Sequence, residues 1–245
     1  MILKECLFIN NDCYKALNFI TDEKPKGIVV HSTGANNKTL KRCVQPVESQ
    51  SYYKEVLEDI GVNKFGNHWN RSGIQSCVHA FIGVNAQGIV ETYQVLPFNI
   101  CAWGVGRGSK GSYNFNPTAH LQFEICEDDL TDENYFKLAM KEAQEFCAYL
   151  CKLYDLPVSS IVSHKECHDL GYGINHGDPD HWLKKFNKDM NWFRDEVRKL
   201  LDDTHIVFRV QVGAFVQRAN AEKMLEELNR YGFNGFIVTA KKGVD

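Results

Sequence analysis

The sequence predicts an α/β fold in which a mixed central β-sheet is flanked by helices. Two apolar stretches of strand length, residues 28–31 and 161–164, each end on a histidine. A hairpin pattern covers residues 75–96, and a long amphipathic helix begins after Thr131. Strands and helices that alternate along a chain in this way are typical of α/β proteins.

Turn residues and alternation predict the other strands. Residues 75–84 and 89–96 form the two strands of the hairpin, because the four residues between them run from an asparagine to a glycine. The stretch 119–126 alternates like a strand but carries Glu124 among apolar neighbours. Such a carboxylate must be paired, hydrated at a cleft or used in chemistry, unless it lies on an edge strand and faces water.

Helical periodicity predicts the elements that cover the sheet. Residues 10–20, 49–61 and 182–200 are predicted helices. The long helix has Thr131 as its predicted N-cap and ends before Pro157. Its apolar stripe consists of Phe136, Met140, Ala143, Cys147, Leu150 and Tyr154.

A short polar joint at residues 202–204 separates two predicted domains, 1–201 and 205–245. The sequence pattern of the second domain predicts a strand, a helix and a strand, which together form a small βαβ unit. We therefore expect any chemistry in the first domain, which contains all the candidate residues named below.

Composition excludes several classes of partner. The chain has 245 residues, a net charge of -3 and 24% charged residues, which predicts no nucleic-acid partner and no membrane partner. No apolar run approaches the roughly 20 residues that span a bilayer, and the first residues lack the pattern of a secretory signal. Nine cysteines without pairing spacings favour a reducing compartment. We expect synthesis in the cytoplasm, without a signal peptide, and later release.

The chemistry-bearing side chains are concentrated in residues 163–182. A Zn²⁺ site with an open fourth position rarely takes all three ligands from one loop, and His31, at the end of a predicted core strand, is the expected partner. The residues of this stretch that can bind a metal or move a proton are His164, Cys167, His168, His176, Asp178, Asp180 and His181.

Four other side chains are candidates for contact with a substrate. Trp103 and Tyr113 lie in a Gly-rich loop at 101–116, which lacks the spacing of a phosphate loop and suits adaptable substrate binding. His68 lies in a polar loop and either lines a groove or faces solvent. His79 lies inside a strand, where it either touches the site or packs in the core.

Several motifs, in their order along the chain, are similar to those of the type 2 N-acetylmuramoyl-L-alanine amidases. They are VVHST at the end of a strand, the hairpin VHAFIGVNAQGIVETYQ, a Trp in a Gly-rich loop, an apolar strand with Glu, and a late His followed by Asp-Pro. The resemblance covers roughly residues 24–201. It implies a zinc-dependent enzyme with the fold that this family shares with the peptidoglycan recognition proteins.

The resemblance also implies roles for individual residues. The zinc ligands fall on His31, His164 and Asp178, the general base on Glu124, and the donor to the oxyanion on His176. The third ligand has alternatives, because the loop before Asp178 is longer than in many members of the family. These alternatives are Cys167, His168, Asp180 and His181.

The implied reaction is hydrolysis of the amide between N-acetylmuramic acid and the L-alanine of the peptidoglycan stem peptide. The motif INHGDPDHW at residues 174–182 resembles the corresponding motif in endolysins of phages that infect Gram-positive, particularly clostridial, bacteria. Two other classes remain open: a non-catalytic peptidoglycan-binding module, and a Cys-His hydrolase built on Cys77 or Cys167.

The tail resembles the first half of a SPOR-type peptidoglycan-binding domain. A half unit leaves a vacant place in its sheet, so we expect a second copy to fill it and form a homodimer through the tails. The predicted strand face is Ile206, Phe208, Val210 and Val212, and the predicted helix stripe is Ala221, Met224, Leu225, Leu228 and Tyr231.

Overall fold

The computed structural model describes Met1, residues 3–21, 24–202 and 212–231, and Ile237. Contacts divide the chain into two units, Met1–Asp203 and Thr204–Asp245. None of the helices in the described residues is both long enough and apolar enough to cross a membrane.

Among the described residues of the first unit, six strands form one mixed sheet. Only the β3–β4 pair is antiparallel, and every other neighbouring pair is parallel. The prediction of an α/β fold with a mixed central sheet is confirmed. In chain order the strands are β1 (Leu3–Glu5), β2 (Ile28–Ser32), β3 (Ala80–Val84), β4 (Val90–Gln94), β5 (Leu121–Ile125) and β6 (Ile161–Ser163). Across the sheet their order is β1, β4, β3, β5, β2, β6.

Seven α-helices are present among the described residues. Two short 3-10 helices, Leu40–Arg42 and Val158–Ser160, lie between them. The helices are α1 (Asp12–Ala16), α2 (Tyr53–Ile60), α3 (Glu133–Tyr154), α4 (His164–Leu170), α5 (Asp180–Lys185), α6 (Met190–Asp202) and α7 (Arg218–Arg230).

Strand parity places the chemistry on one face of the sheet. Ile28 and Val30 of β2 belong to the core between the sheet and α3, whereas Val29 faces the other way. His31 has the same parity as Val29, because successive side chains of a strand alternate between faces. Glu124 shares that face with His31, since the Cα atoms of the two residues are register partners in the parallel pair β2–β5.

Three sequence predictions need correction. The stretch 163–182 is treated as one loop in the sequence analysis, but it contains α4 and the start of α5. The helix predicted over 182–200 is interrupted because Asn187 has a left-handed φ of 55°, and Asp189 then accepts a bond from the Trp192 amide at the start of α6. Asp132, rather than Thr131, is the N-cap of α3, because its side chain accepts the Tyr135 amide.

The second unit is described only around α7. Within the helix, Ala221, Met224, Leu225 and Leu228 are less exposed than their neighbours, whereas Tyr231, after its end, is 75% exposed. The predicted strand residues Ile206, Phe208 and Val210 lie outside the described residues, and Val212 is exposed.

Candidate active site and metal centre

Three side chains from three segments converge at the carboxyl edge of the sheet. His31 lies near the end of β2, His164 is the first residue of α4 directly after β6, and Asp178 precedes Pro179. The two imidazole Nδ1 atoms are 3.1 Å apart. Asp178 Oδ2 lies 3.3 Å from His31 Nδ1, and Asp178 Oδ1 lies 3.3 Å from His164 Nδ1. All three residues are buried.

The donor set fits a tetrahedral metal ion. Bonds of about 2.0–2.1 Å to Zn²⁺ place two tetrahedral ligands about 3.3–3.4 Å apart. The three separations observed here are 3.1, 3.3 and 3.3 Å. Two imidazoles and one carboxylate can therefore bind one cation and leave a fourth position open. Among the described residues, this is the group of three or more possible ligands that could hold a metal ion.

The carboxylate of Asp178 is held in its charged form. Burial alone would raise its pKa, but hydrogen bonds from His164 and His31 outweigh burial and lower the pKa far below its usual range. The Ser32 amide donates to Asp178 Oδ2 over 3.3 Å, and the Lys165 amide donates to the Asp178 carbonyl over 3.2 Å. Hydrogen bonds to its side chain and to its main-chain carbonyl thus position Asp178.

The position of His164 follows from the cap of α4. Ser163 and Glu166 form a capping box, in which each side chain accepts the other residue's amide. Arg194 of α6 binds both oxygens of Glu166, over 2.9 and 3.1 Å, and also donates to the Ile161 carbonyl over 2.9 Å. This bidentate pair ties α4, and the histidine at its start, to α6 and β6.

Glu124 lies beside the three possible ligands on the neighbouring strand. Its Oε2 atom is buried without a hydrogen-bond partner in the described part of the chain. Burial raises the pKa of Glu124 well above its usual value, and the charges of Asp178 and Glu127 raise it further. A bound divalent cation acts in the opposite direction, because it favours the ionised carboxylate.

His176 covers the cluster from the solvent side. Its ring is exposed and stacks on the ring of His164, with centroids 4.6 Å apart and an interplanar angle of 11°. Its Nδ1 atom lies 3.7 Å from Asp178 Oδ1. The structure therefore brings His31, His164, Asp178 and His176 together, as the sequence predicts.

Trp103 and Tyr113 lie on the Gly-rich loop beside this cluster. A Cβ added to Gly104, the next residue after Trp103, would lie 3.4 Å from His31 Nε2 and only 2.4 Å from Gln122 Oε1. The close approach explains why no larger residue follows Trp103. The Trp103 Nε1 atom is buried without a partner among the described residues.

The ring of Tyr113 is held in a three-ring stack. Its centroid lies 3.8 Å from that of His120 and 4.6 Å from that of Tyr172. The Tyr113 amide also donates to the Tyr172 carbonyl over 3.1 Å. The Gly-rich loop is thereby fixed to the segment that follows α4.

The two other predicted substrate contacts differ from each other. His68 is half-buried, and burial, followed by the charge of Arg71, lowers its pKa. His79 is fully buried: its Nε2 donates to the Ile100 carbonyl over 2.8 Å, and its Nδ1 accepts the Gln122 amide over 3.0 Å. Burial lowers the pKa of His79 to about 4. With both nitrogens bonded to the backbone, His79 has no free polar atom, and its predicted role as a substrate contact is wrong.

The four alternative ligands lie outside the cluster. Cys167 is buried against Val29 and Val105, and His168 is exposed. Asp180 begins α5, and His181 is bonded to Glu127 instead. Glu127 was not predicted from the sequence, because an acidic residue followed by two aspartates is usually a solvated turn.

Comparisons with known proteins agree with this architecture. A sequence model of the N-acetylmuramoyl-L-alanine amidases matches residues 21–181, and one of the SPOR domain matches residues 204–245. No curated protein matches.

Two solved structures share the fold. The Staphylococcus aureus hydrolase AmiA, solved in complex with its ligand, is 18% identical with a TM-score of 0.56, over 84% of this chain and 85% of that one. The PlyG catalytic domain is 18% identical with a TM-score of 0.51, over 85% of this chain and all of that one (100%). The amidase match spans most of the first unit, including the three possible metal ligands, so the chain belongs to the N-acetylmuramoyl-L-alanine amidase family and is a peptidoglycan amidase.

Proposed function

We propose that the chain is a zinc-dependent amidase that cleaves the bond between N-acetylmuramic acid and the L-alanine of the stem peptide. Zinc would be held by His31, His164 and Asp178. The observation that carries this proposal is the convergence of their ligand atoms at separations of 3.1 to 3.3 Å, with Glu124 beside them on the next strand.

The protein's own residues supply the proton transfers. A bound Zn²⁺ contributes Lewis-acid chemistry, which makes water more acidic and polarises an amide carbonyl. Glu124 takes the proton from the attacking water and delivers it to the leaving amine. His176, exposed above the cluster, donates a hydrogen bond to the developing oxyanion. Trp103, Tyr113 and His68 provide the walls of the groove for sugar and peptide.

The two alternative classes are less well supported. A recognition module without catalysis needs neither three convergent ligands nor a buried carboxyl beside them. A Cys-His hydrolase needs an accessible thiolate, but all nine cysteines are buried and free. Burial raises the pKa of both Cys77 and Cys167, which keeps them as thiols.

The biological setting is part of the same proposal. We infer an endolysin that is made in the cytoplasm and acts on the cell wall of a Gram-positive, clostridial-type host after release. The motif INHGDPDHW at residues 174–182 supports this inference.

The tail would bind peptidoglycan, and a second copy of the chain would complete its sheet. Light scattering tests the dimer, which should become monomeric when the residues after Leu201 are removed; a full-length protein that is already monomeric at about 10 μM would contradict it.

Product analysis tests the reaction. Purified cell walls digested by the protein should release stem peptides with a free L-alanine amino group, as detected by mass spectrometry, and leave intact glycan strands. Chelation should abolish release and Zn²⁺ should restore it, whereas a thiol alkylator should have no effect on the folded protein. Products cut within the glycan or within the stem peptide would contradict the proposed reaction.

A further inference from the structure

Glu127, which is buried, and His181, which is half-buried, form a pair next to the proposed ligands, and the reaction described above uses neither of them. Glu127 follows β5 by two residues, and its side chain is only 3% exposed. His181 is the second residue of α5. Its Nε2 atom lies 3.1 Å from Glu127 Oε1 and 3.2 Å from Oε2. A buried carboxylate needs such a partner, because an unpaired charge in the interior is costly.

The other side of the histidine holds the turn that carries Asp178. The Nδ1 atom of His181 lies 3.3 Å from the Gly177 carbonyl oxygen, and the His181 amide donates to the same oxygen over 3.0 Å. Gly177 directly precedes Asp178. Nothing lies within 4 Å of the place where a Cβ of Gly177 would be, so side-chain packing does not fix this residue. Contacts from the ring and the amide of His181 hold its carbonyl.

Glu127 is itself fixed to the edge of the sheet. Its amide donates to Thr33 Oγ1 over 3.1 Å, and its carbonyl accepts the Asn37 amide over 2.8 Å. Both contacts come from the loop that follows β2, the strand that carries His31. A continuous chain of bonds therefore runs from the loop after the strand of the first ligand, through Glu127 and His181, to the turn that carries the third ligand.

We propose that His181, held by Glu127, is a positioning residue that fixes the Gly177 carbonyl and so sets Asp178 in place to bind the metal. The inference rests on the proposed zinc site. Both ring nitrogens of His181 lie close to oxygen atoms, Nδ1 to the Gly177 carbonyl and Nε2 to the Glu127 carboxyl group. Partners of this kind, which orient ligands without touching the metal, typically change metal affinity by about 10–100-fold when they are removed.

Substitutions can separate the contact that Nδ1 makes with Gly177 from the contact that Nε2 makes with Glu127. In His181→Asn, the amide nitrogen takes the place of Nδ1 and keeps a donor for Gly177, but the contact with Glu127 is lost. In His181→Gln, the amide nitrogen reaches toward Glu127, but the donor for Gly177 is lost. His181→Ala removes both. The matched control is His168→Ala, an exposed histidine whose Nδ1 also lies near a backbone carbonyl, that of Gly173, at 3.4 Å.

Zinc affinity, measured by competition with a chromophoric chelator, tests the proposal without depending on turnover. We expect His181→Ala to bind Zn²⁺ about 10–100-fold more weakly than the parent. The Asn and Gln variants should fall between the two, and the His168→Ala control should match the parent. The zinc-free His181→Ala protein should unfold at a lower temperature than the zinc-free parent, because Glu127 loses its partner. The increase in unfolding temperature on adding Zn²⁺ should also be smaller for His181→Ala than for the parent.

The proposal would be overturned if folded His181 variants bound Zn²⁺ within about twofold of the parent, since outer partners normally change affinity by more than this. If His181→Ala does not fold, the Asn and Gln variants decide the question by the same criterion. Failure of the zinc site itself gives a different result: the parent would then bind no stoichiometric Zn²⁺, or Asp178→Ala would retain it.

Discussion

Charged groups cluster at both edges of the sheet, but the two clusters differ in how completely their polar atoms are paired. On the side of the sheet whose edge strand is β6, Glu124 Oε2 and the Nε2 atoms of His31 and His164 are buried without a hydrogen-bond partner in the described chain. The Nδ1 atoms of the two histidines face each other and Asp178. Near the opposite edge, Lys4 of β1 binds Asp59 over 2.8 Å and Glu91 over 2.7 Å.

The second cluster is completed by neutral donors. The Tyr93 hydroxyl donates to Asp59, and the Asn85 amide donates to Glu91 over 2.8 Å. The pKa of Lys4 is raised, because the hydrogen bonds from Lys4 to Asp59 and Glu91 outweigh the lowering caused by burial. None of these five side chains has a buried polar atom without a partner. A saturated cluster stabilises a fold, whereas an unsaturated one at a cleft is arranged for a ligand.

Removing a proposed metal ligand should have the largest effect on activity and metal binding. His31→Ala should abolish hydrolysis of soluble muropeptides and the retention of zinc, because two donors alone do not hold the ion against a chelator. Measured metal content and turnover should fall together. A His31→Ala protein that kept stoichiometric zinc would show that the unsaturated edge is not the metal site.

Glu124→Gln separates proton transfer from metal binding. The substitution preserves the shape of the side chain but removes the proton acceptor. We expect normal zinc content and a loss of turnover of about a hundredfold or more, as is typical of a general base. Near-parental turnover would mean that the unpaired carboxyl on β5 is structural.

Both edges belong to the first unit, so a protein that ends at Leu201 should keep them. We expect it to hydrolyse soluble muropeptides at close to the parental rate and to lyse whole cell walls more slowly. Turbidity of wall suspensions and release of products from soluble substrate measure the two activities. Equal lysis of walls by the shortened and full-length proteins would remove the proposed role of the tail in wall binding.

Lys4→Met should have the smallest effect and should act on stability alone. It leaves Asp59 and Glu91 without their cation, and because the Lys4 side chain is 34% exposed, solvent screening limits the loss. We expect the free energy of unfolding to fall by about 1–2 kcal/mol. Turnover and zinc affinity should be unchanged; a loss of either without unfolding would link the two edges.

The sequence could predict the site only where local pattern determines position. Two apolar stretches that end on histidine correspond to the neighbouring strands β2 and β6, which bring His31 and His164 together, and alternation along β5 turns Glu124 to the same face as His31. The choice of Asp178 over Asp180 depends on where α5 begins, which local pattern did not indicate.

Long-range bonds account for what the sequence did not predict. The ring of His79 forms hydrogen bonds with Ile100 and Gln122, which are 21 and 43 residues away. The neighbouring sequence therefore gives no indication that His79 is buried. The pairing of Glu127 with His181 spans 54 residues. The three-residue strand β1 is too short to show alternation, and it is defined by its pairing with β4.

Anomalous diffraction at the zinc edge, from crystals grown with Zn²⁺, tests the central claim most directly. We predict one strong peak about 2.0–2.2 Å from a nitrogen of His31, a nitrogen of His164 and a carboxylate oxygen of Asp178, and no peak at the Lys4 edge. A peak bound by Cys167, Asp180 or His181, or no peak near His31, would contradict the assignment of this edge of the sheet as the metal centre.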